Sequence, residues 1–257
     1  MRKFLASIIL LLFVMPAFAG NKITTVVKAP KGVRVTKNMI FLFDCSTSMG
    51  RTNRLQTAMA EFRGIIGQPM DDGMFSLLTF QAREESIKIW PGFKEKDDPK
   101  PPPKGWAKLP SLNALKAANK WLNGIGCWNY TDMGTIIKKA FALNKNREKL
   151  TIILFTDGNN TYPNFNGQKP SAVAALIKKL NKQRIKAKKD MIRIFVFGVS
   201  AEQNVVMLSE IAKAGSGSYI TSDKICPICR KFKKDVPEVQ QVHRSEHIKP
   251  EEEDDEE

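Results

Sequence analysis

Residues 39–50 read MIFLFDCSTSMG. Five apolar side chains run without alternation into Asp44, and Cys45, Ser46, Thr47 and Ser48 follow. An apolar run with no polar face predicts a strand buried on both sides of a sheet. Such a strand has no use for a cluster of oxygen donors at its end unless the donors hold something. Both the fold and the function turn on that junction.

Outward from it, the pattern repeats. Residues 75–80 and 191–199 are further apolar strands, and residues 150–157 end, like the first, in an acid, Asp157. Between them lie helical periodicities. Leu55, Met59, Phe62, Ile65 and Ile66 form one face of a helix over 54–67. Ser111 caps a helix to about Leu122, and others are expected over 133–143, 171–189 and 205–214, the last stopped by Gly215. Residues 86–90 alternate and lie a short polar link beyond 75–80, which predicts a hairpin. Residues 94–110, KEKDDPKPPPKGWAKLP, suit neither helix nor central strand and are expected as an extended surface loop. A short strand over 219–221 closes the series. Strands alternating with helices give an α/β fold: a central, mostly parallel sheet with one antiparallel edge strand and helices on both faces. In such sheets ligands collect at the carboxyl ends of the strands, where the strand order reverses. Both acid-tipped strands end on that rim.

Bulk properties narrow the setting. Arg2 and Lys3 precede an apolar run over 4–14, then Pro16 and Ala17-Phe18-Ala19. This is the pattern of a signal peptide over residues 1–19, and the run is short for a bilayer span. An exported protein, periplasmic or secreted, with no integral span after cleavage is therefore expected. The 41 Lys and Arg against 26 Asp and Glu give a net charge of +15, although residues 251–257 are all acidic. A basic body can meet anionic surfaces or acidic proteins, while export makes nucleic acid an improbable partner. Residues 250–257 form a charged tail of the composition that stays disordered. It could fold back on basic side chains such as Lys178, Lys179, Lys182, Arg184, Lys186, Lys188 and Lys189.

At the first tip stand Asp44, Ser46 and Ser48; at the other, Asp157; and in an intervening loop, YTDMG, Thr131. Three hydroxyls and two carboxylates are hard oxygen donors of the kind Mg²⁺ takes. Residues two apart can face the same way, so Ser46 and Ser48 can share an ion while Cys45 and Thr47 turn aside. Two carboxylates among neutral hydroxyls leave a cation under-neutralised, open to an external carboxylate.

D-x-S-x-S at Asp44, Ser46 and Ser48, then Thr131, then FTDG with Asp157, is similar to the metal-ion-dependent adhesion site of the von Willebrand factor type A domain. The likeness extends over residues 36–222. It implies a Rossmann-like fold and a Mg²⁺ site with Ser46 and Ser48 as direct ligands. Thr131 would join them in the ligand-ready state, with Asp44 and Asp157 acting largely through water. It also implies a protein-binding, non-enzymatic role, with a partner Asp or Glu completing the metal shell.

Catalysis finds less support. An aspartyl nucleophile at Asp44 usually wants a second acid two residues on, where Ser46 stands. No G-x-S-x-G elbow occurs, and the only histidines, His243 and His247, lie far from the strand tips in sequence. Because the loops carrying Cys45 and Cys127 both converge on the ion, a Cys45–Cys127 disulfide is expected. The remaining cysteines fall in a C-terminal appendage over 223–249. There Cys226, Cys229, His243 and His247 read C-x₂-C-x₁₃-H-x₃-H, the spacing of a tetrahedral zinc site. The alternative for that segment is a Cys226–Cys229 disulfide, which would make the protein a thiol redox or metal-handling factor centred on CPIC. Elemental analysis of the purified full chain separates the two. One equivalent of zinc is expected if the four side chains bind it, and a metal-free Cys226–Cys229 bond in non-reducing peptide mapping would exclude the zinc site.

Overall fold

The computed structural model describes residues 37–51, 53–67, 73–109, 111–143, 149–158, 170–200 and 203–221. The segment 1–19, the acidic tail and all of Cys226, Cys229, His243 and His247 lie outside the described residues.

The first apolar run forms β1 (Asn38–Asp44). Its length is matched by β2 (Met74–Phe80) and β5 (Leu150–Thr156), which pair with it in parallel on either side. The sheet continues through β6 (Arg193–Gly198) and β7 (Tyr219–Thr221), both parallel, in the order β2-β1-β5-β6-β7. Strand order therefore reverses at β1, between β2 and β5. Two two-residue strands, β3 (Lys88–Ile89) and β4 (Ala107–Lys108), pair antiparallel with β2. The helices are α1 (Arg54–Ile66), α2 (Leu112–Asn123), α3 (Met133–Leu143), α4 (Pro170–Lys186) and α5 (Val205–Ala214). Among the described residues, no helix is long and apolar enough to cross a membrane.

The lack of alternation in β1 now has its reason. Met39, Phe41 and Phe43 join one core with α1 and α2, while Ile40 and Leu42 join a second with α3, α4 and α5. The first core is aromatic. Phe41 meets Phe62 edge-on at 4.8 Å between ring centroids, and Phe43 stacks on Phe155 at 4.9 Å, both favoured arrangements. Two helix ends follow sequence chemistry as expected. The Ser111 hydroxyl accepts the Ala114 amide at 3.0 Å to cap α2, and α5 stops at Gly215.

Three expectations are corrected. The Pro-rich stretch 94–110 is not wholly surface: Trp106, Ala107 and Leu109 are buried, and Ala107 and Lys108 form a short strand antiparallel to β2. Edge pairing is the one sheet position open to so proline-rich a segment. Helix α4 stops at Lys186, three residues early, and Arg184 is buried rather than part of the basic surface. Its Nε donates to the Asp190 carbonyl at 2.9 Å, while the Asn181 amide bonds both backbone groups of Ile192. Those contacts turn the chain from α4 into β6.

One acid is buried far from the strand tips. Glu61 on α1 is 4% exposed, and burial raises its pKa from 4.5 to about 7. The folded state then holds this proton more tightly than the unfolded chain, so stability falls as pH rises from about 4.5 to about 7. Glu61→Gln removes that penalty. The variant is expected to be more stable than the parent by about 1–3 kcal/mol at pH 8 in urea denaturation. The difference should vanish toward pH 4.5.

Candidate functional site

The tips of β1 and β5 lie side by side at the point where strand order reverses. Beyond Asp44 the chain cannot continue as a strand, because Ser46 turns its amide back to Asp44 Oδ1 at 2.9 Å. This local bond is what Asp offers at turns. It starts a tight 3₁₀ turn over Thr47–Gly50, which brings the Ser46 and Ser48 hydroxyls to 3.1 Å from each other. The turn thus sets the two serine hydroxyls together, with Thr47 exposed between them.

A second loop closes over the first. Trp128 N–H donates to the Cys45 carbonyl at 2.9 Å, and Thr47 N–H to the Asn129 carbonyl at 3.0 Å. Asn129 takes a left-handed conformation, φ 58°, which an Asn tolerates better than most residues. Two residues on, Thr131 is fully buried, and its hydroxyl has no hydrogen-bond partner among the described residues. Asp132 then starts α3 by accepting the Thr135 amide at 3.0 Å and its hydroxyl at 2.6 Å. The loop is therefore held at both ends with an unsatisfied hydroxyl between. Such a buried orphan costs about 1–3 kcal/mol and calls for an explanation.

The third contribution is the tip of β5. Asp157 is buried and accepts Arg54 Nη1, from the first turn of α1, at 2.7 Å. Gly158 follows at φ 78°; a Cβ there would lie 3.0 Å from the Asn204 amide, so glycine lets the α5 N-terminus approach closely. Thr156 donates its hydroxyl to Asp44 Oδ2 at 2.6 Å and accepts the Gly158 amide at 3.1 Å.

Asp44 itself is completely buried. Burial and the nearby charge of Asp157 raise its pKa to about 7, against the lowering effect of the bonds from Thr156 and Ser46. Burial is the larger of the two raising effects. Arg54 serves Asp157, and a cation beside Asp44 would restore its usual range. Among the described residues there is no group of three or more His, Cys, Asp or Glu side chains placed to hold a metal. The donors here are instead mixed: two carboxylates, two adjacent serine hydroxyls and an unpaired threonine hydroxyl. That set suits a hard, oxygen-seeking ion such as Mg²⁺.

Cys45 and Cys127 do come together, but as free thiols rather than the expected disulfide. Cys45 is held above the usual thiol range by its hydrogen bond to Cys127 and by burial; the same bond lowers Cys127. The backbone bonds from Trp128 and Thr47 already join the two loops, so no covalent tie is needed to align them. Sequence reasoning also missed Thr156 and Arg54. Thr156 was in view within FTDG, yet nothing local indicates that its hydroxyl reaches Asp44. Arg54 reads only as the start of a helix.

No protein-family model and no curated protein sequence matches this chain. Solved structures do. A von Willebrand factor type A structure from Catenulispora acidiphila superimposes with a TM-score of 0.52 at 16% identity, over 79% of this chain and 42% of that one. The ArnB paralog VWA2 from Sulfolobus acidocaldarius aligns at 0.47 and 16% identity, over 74% of this chain and 42% of its own. The chain therefore spans less than half the length of these structures. Its fold is that of the von Willebrand factor type A domain.

Two substitutions separate the bonded hydroxyl from the unpaired one. Thr156→Val strands both Asp44 Oδ2 and the Gly158 amide and is expected to cost about 1–3 kcal/mol in chemical denaturation. Thr131→Val removes an unpaired buried hydroxyl and should leave metal-free stability unchanged or raise it by about 1 kcal/mol.

Proposed function

We propose that this chain is an exported protein-binding module that captures a carboxylate of its partner through Mg²⁺ held at the tips of β1 and β5. What supports the reading is the buried Thr131 hydroxyl, which has no hydrogen-bond partner among the described residues and lies in the loop whose Asn129 and Asp132 are bonded to Thr47 and Gln81, just past the tips of β1 and β2. In that reading Ser46 and Ser48 hold the ion directly and Thr131 joins them when a ligand is bound. Asp44 and Asp157 act largely through water. The ion supplies an electrophilic coordination position that a partner's Asp or Glu can fill.

The chain's own residues do the rest. Thr156 and the Ser46 amide fix the Asp44 carboxylate, and Arg54 fixes that of Asp157. Burial keeps bulk solvent from screening the carboxylates, which strengthens their pull on a cation and on the waters it would carry. The role needs no bond made or broken in the partner, and the reading is of a binding protein rather than an enzyme. Export rests on the signal-like pattern of residues 1–19.

Mg²⁺ is expected to raise the melting temperature, by an amount equivalent to about 2.7 kcal/mol at a hundred times its Kd, and EDTA to reverse the rise. Asp44→Asn should weaken Mg²⁺ binding in calorimetry about 10–100-fold. Capture of partners from the native exported fraction should be lost on chelation and in Asp44→Ala, while the thiol chemistry of Cys226 and Cys229 stays intact. Capture that survives both would overturn the proposal.

A further inference from the structure

Arg54 gives the site a charge that neither strand tip carries. It opens α1 ten residues after Asp44, just past Asn53, which takes a left-handed conformation at φ 58°. From there its Nη1 donates to Asp157 Oδ2 at 2.7 Å, within the range of charge-assisted hydrogen bonds. The Arg54 side chain is 11% exposed and that of Asp157 is not exposed at all, so water screens the pair little.

Two buried acids belong to the strand tips, and a third is turned elsewhere. Asp44 and Asp157 lie fully buried at the ends of adjacent strands. Asp132, also buried, faces α3, where it accepts the Thr135 amide and hydroxyl at the helix N-terminus. Arg51, Glu84, Glu85 and Lys88 are exposed, and water and salt weaken their influence.

Charge then sets what the site can accept. Two carboxylates alone match a divalent cation charge for charge and leave no excess to attract a further anion. With Arg54 included, the ionised side chains carry one net negative charge. A divalent cation turns that into one net positive charge, and a single external carboxylate cancels it. Where water is largely withheld, such an excess acts strongly on a nearby anion.

We infer that Arg54 sets both the strength of Mg²⁺ binding and the demand for one external carboxylate. Its guanidinium opposes the cation when no partner is present, and it keeps the loaded site positive until a partner's Asp or Glu arrives. By linkage, the carboxylate that relieves the excess must also tighten the cation. The inference rests on the carboxylate-capture reading and adds the residue that couples metal to partner. It differs from a positioning role, in which Arg54 only holds Asp157 in place and its loss weakens the metal site.

The test is calorimetric titration of the metal-free full chain with Mg²⁺ at about pH 8. It is run in sodium acetate, the carboxylate probe, and in sodium chloride of equal ionic strength. In the parent, acetate is expected to tighten Mg²⁺ about fivefold. In Arg54→Met, Mg²⁺ is expected to bind about tenfold tighter than in the parent in chloride, and acetate to add little. Arg54→Lys, which keeps the charge, should return both quantities toward the parent's. Should Arg54→Met not fold because it strands the buried Asp157, Arg54→Gln keeps a hydrogen-bond donor without the charge and carries the same expectation. Mg²⁺ bound no tighter by the neutral variants, or an acetate effect equal to the parent's, overturns the inference and leaves Arg54 a positioning residue. No Mg²⁺ binding by the parent overturns the metal reading itself, so the two fail separately.

Discussion

A carboxylate with no exposure to water at the end of the central strand is the constraint around which the rest is arranged. Asp44 sits at the tip of β1, between β2 and β5, where two packed cores have removed solvent from both faces. A charge in such a place is tolerable only with hydrogen bonds or a counter-charge. The fold supplies the bonds, from the Ser46 amide and the Thr156 hydroxyl. Arg54 reaches in from α1 to satisfy the second acid, and two loops bring in hydroxyls rather than further acids.

The same strand explains why the site is rigid at its base and open at its top. Below Asp44 lie Phe41 and Phe43, locked among Phe62, Phe75 and Phe155. Above it the polypeptide leaves the sheet, and the exposed side chains include Thr47, Arg51, Trp128, Asn129 and Tyr130. Close packing below holds the donors in register. The loops above are free of that packing constraint.

Much of this was legible in the chain. The apolar runs without alternation placed β1, β2, β5 and β6, because burial on both faces leaves no room for polar residues at any position. Helical spacing placed α1, and Ser111 and Gly215 placed the ends of α2 and α5 through local hydrogen bonding. The Pro-rich stretch was misread in part, because Trp106 and Leu109 are too few to outweigh the surrounding prolines and charges in any local pattern. The end of α4 was misread because Asn181 and Arg184 bond to residues beyond the helix, which periodicity does not record.

The sequence by itself determined the order of elements and which residues stand at the strand tips, since hydrophobic periodicity and turn chemistry act over a few neighbouring residues. Tertiary structure alone decided the relations between tips. It joined Arg54 to Asp157 and Thr156 to Asp44 across more than a hundred residues each. It also left Cys45 and Cys127 adjacent as thiols and buried Thr131 without a hydrogen-bond partner among the described residues. Those facts depend on which strands become neighbours, and that is settled by the packing of two cores on one sheet rather than by any segment's own preference.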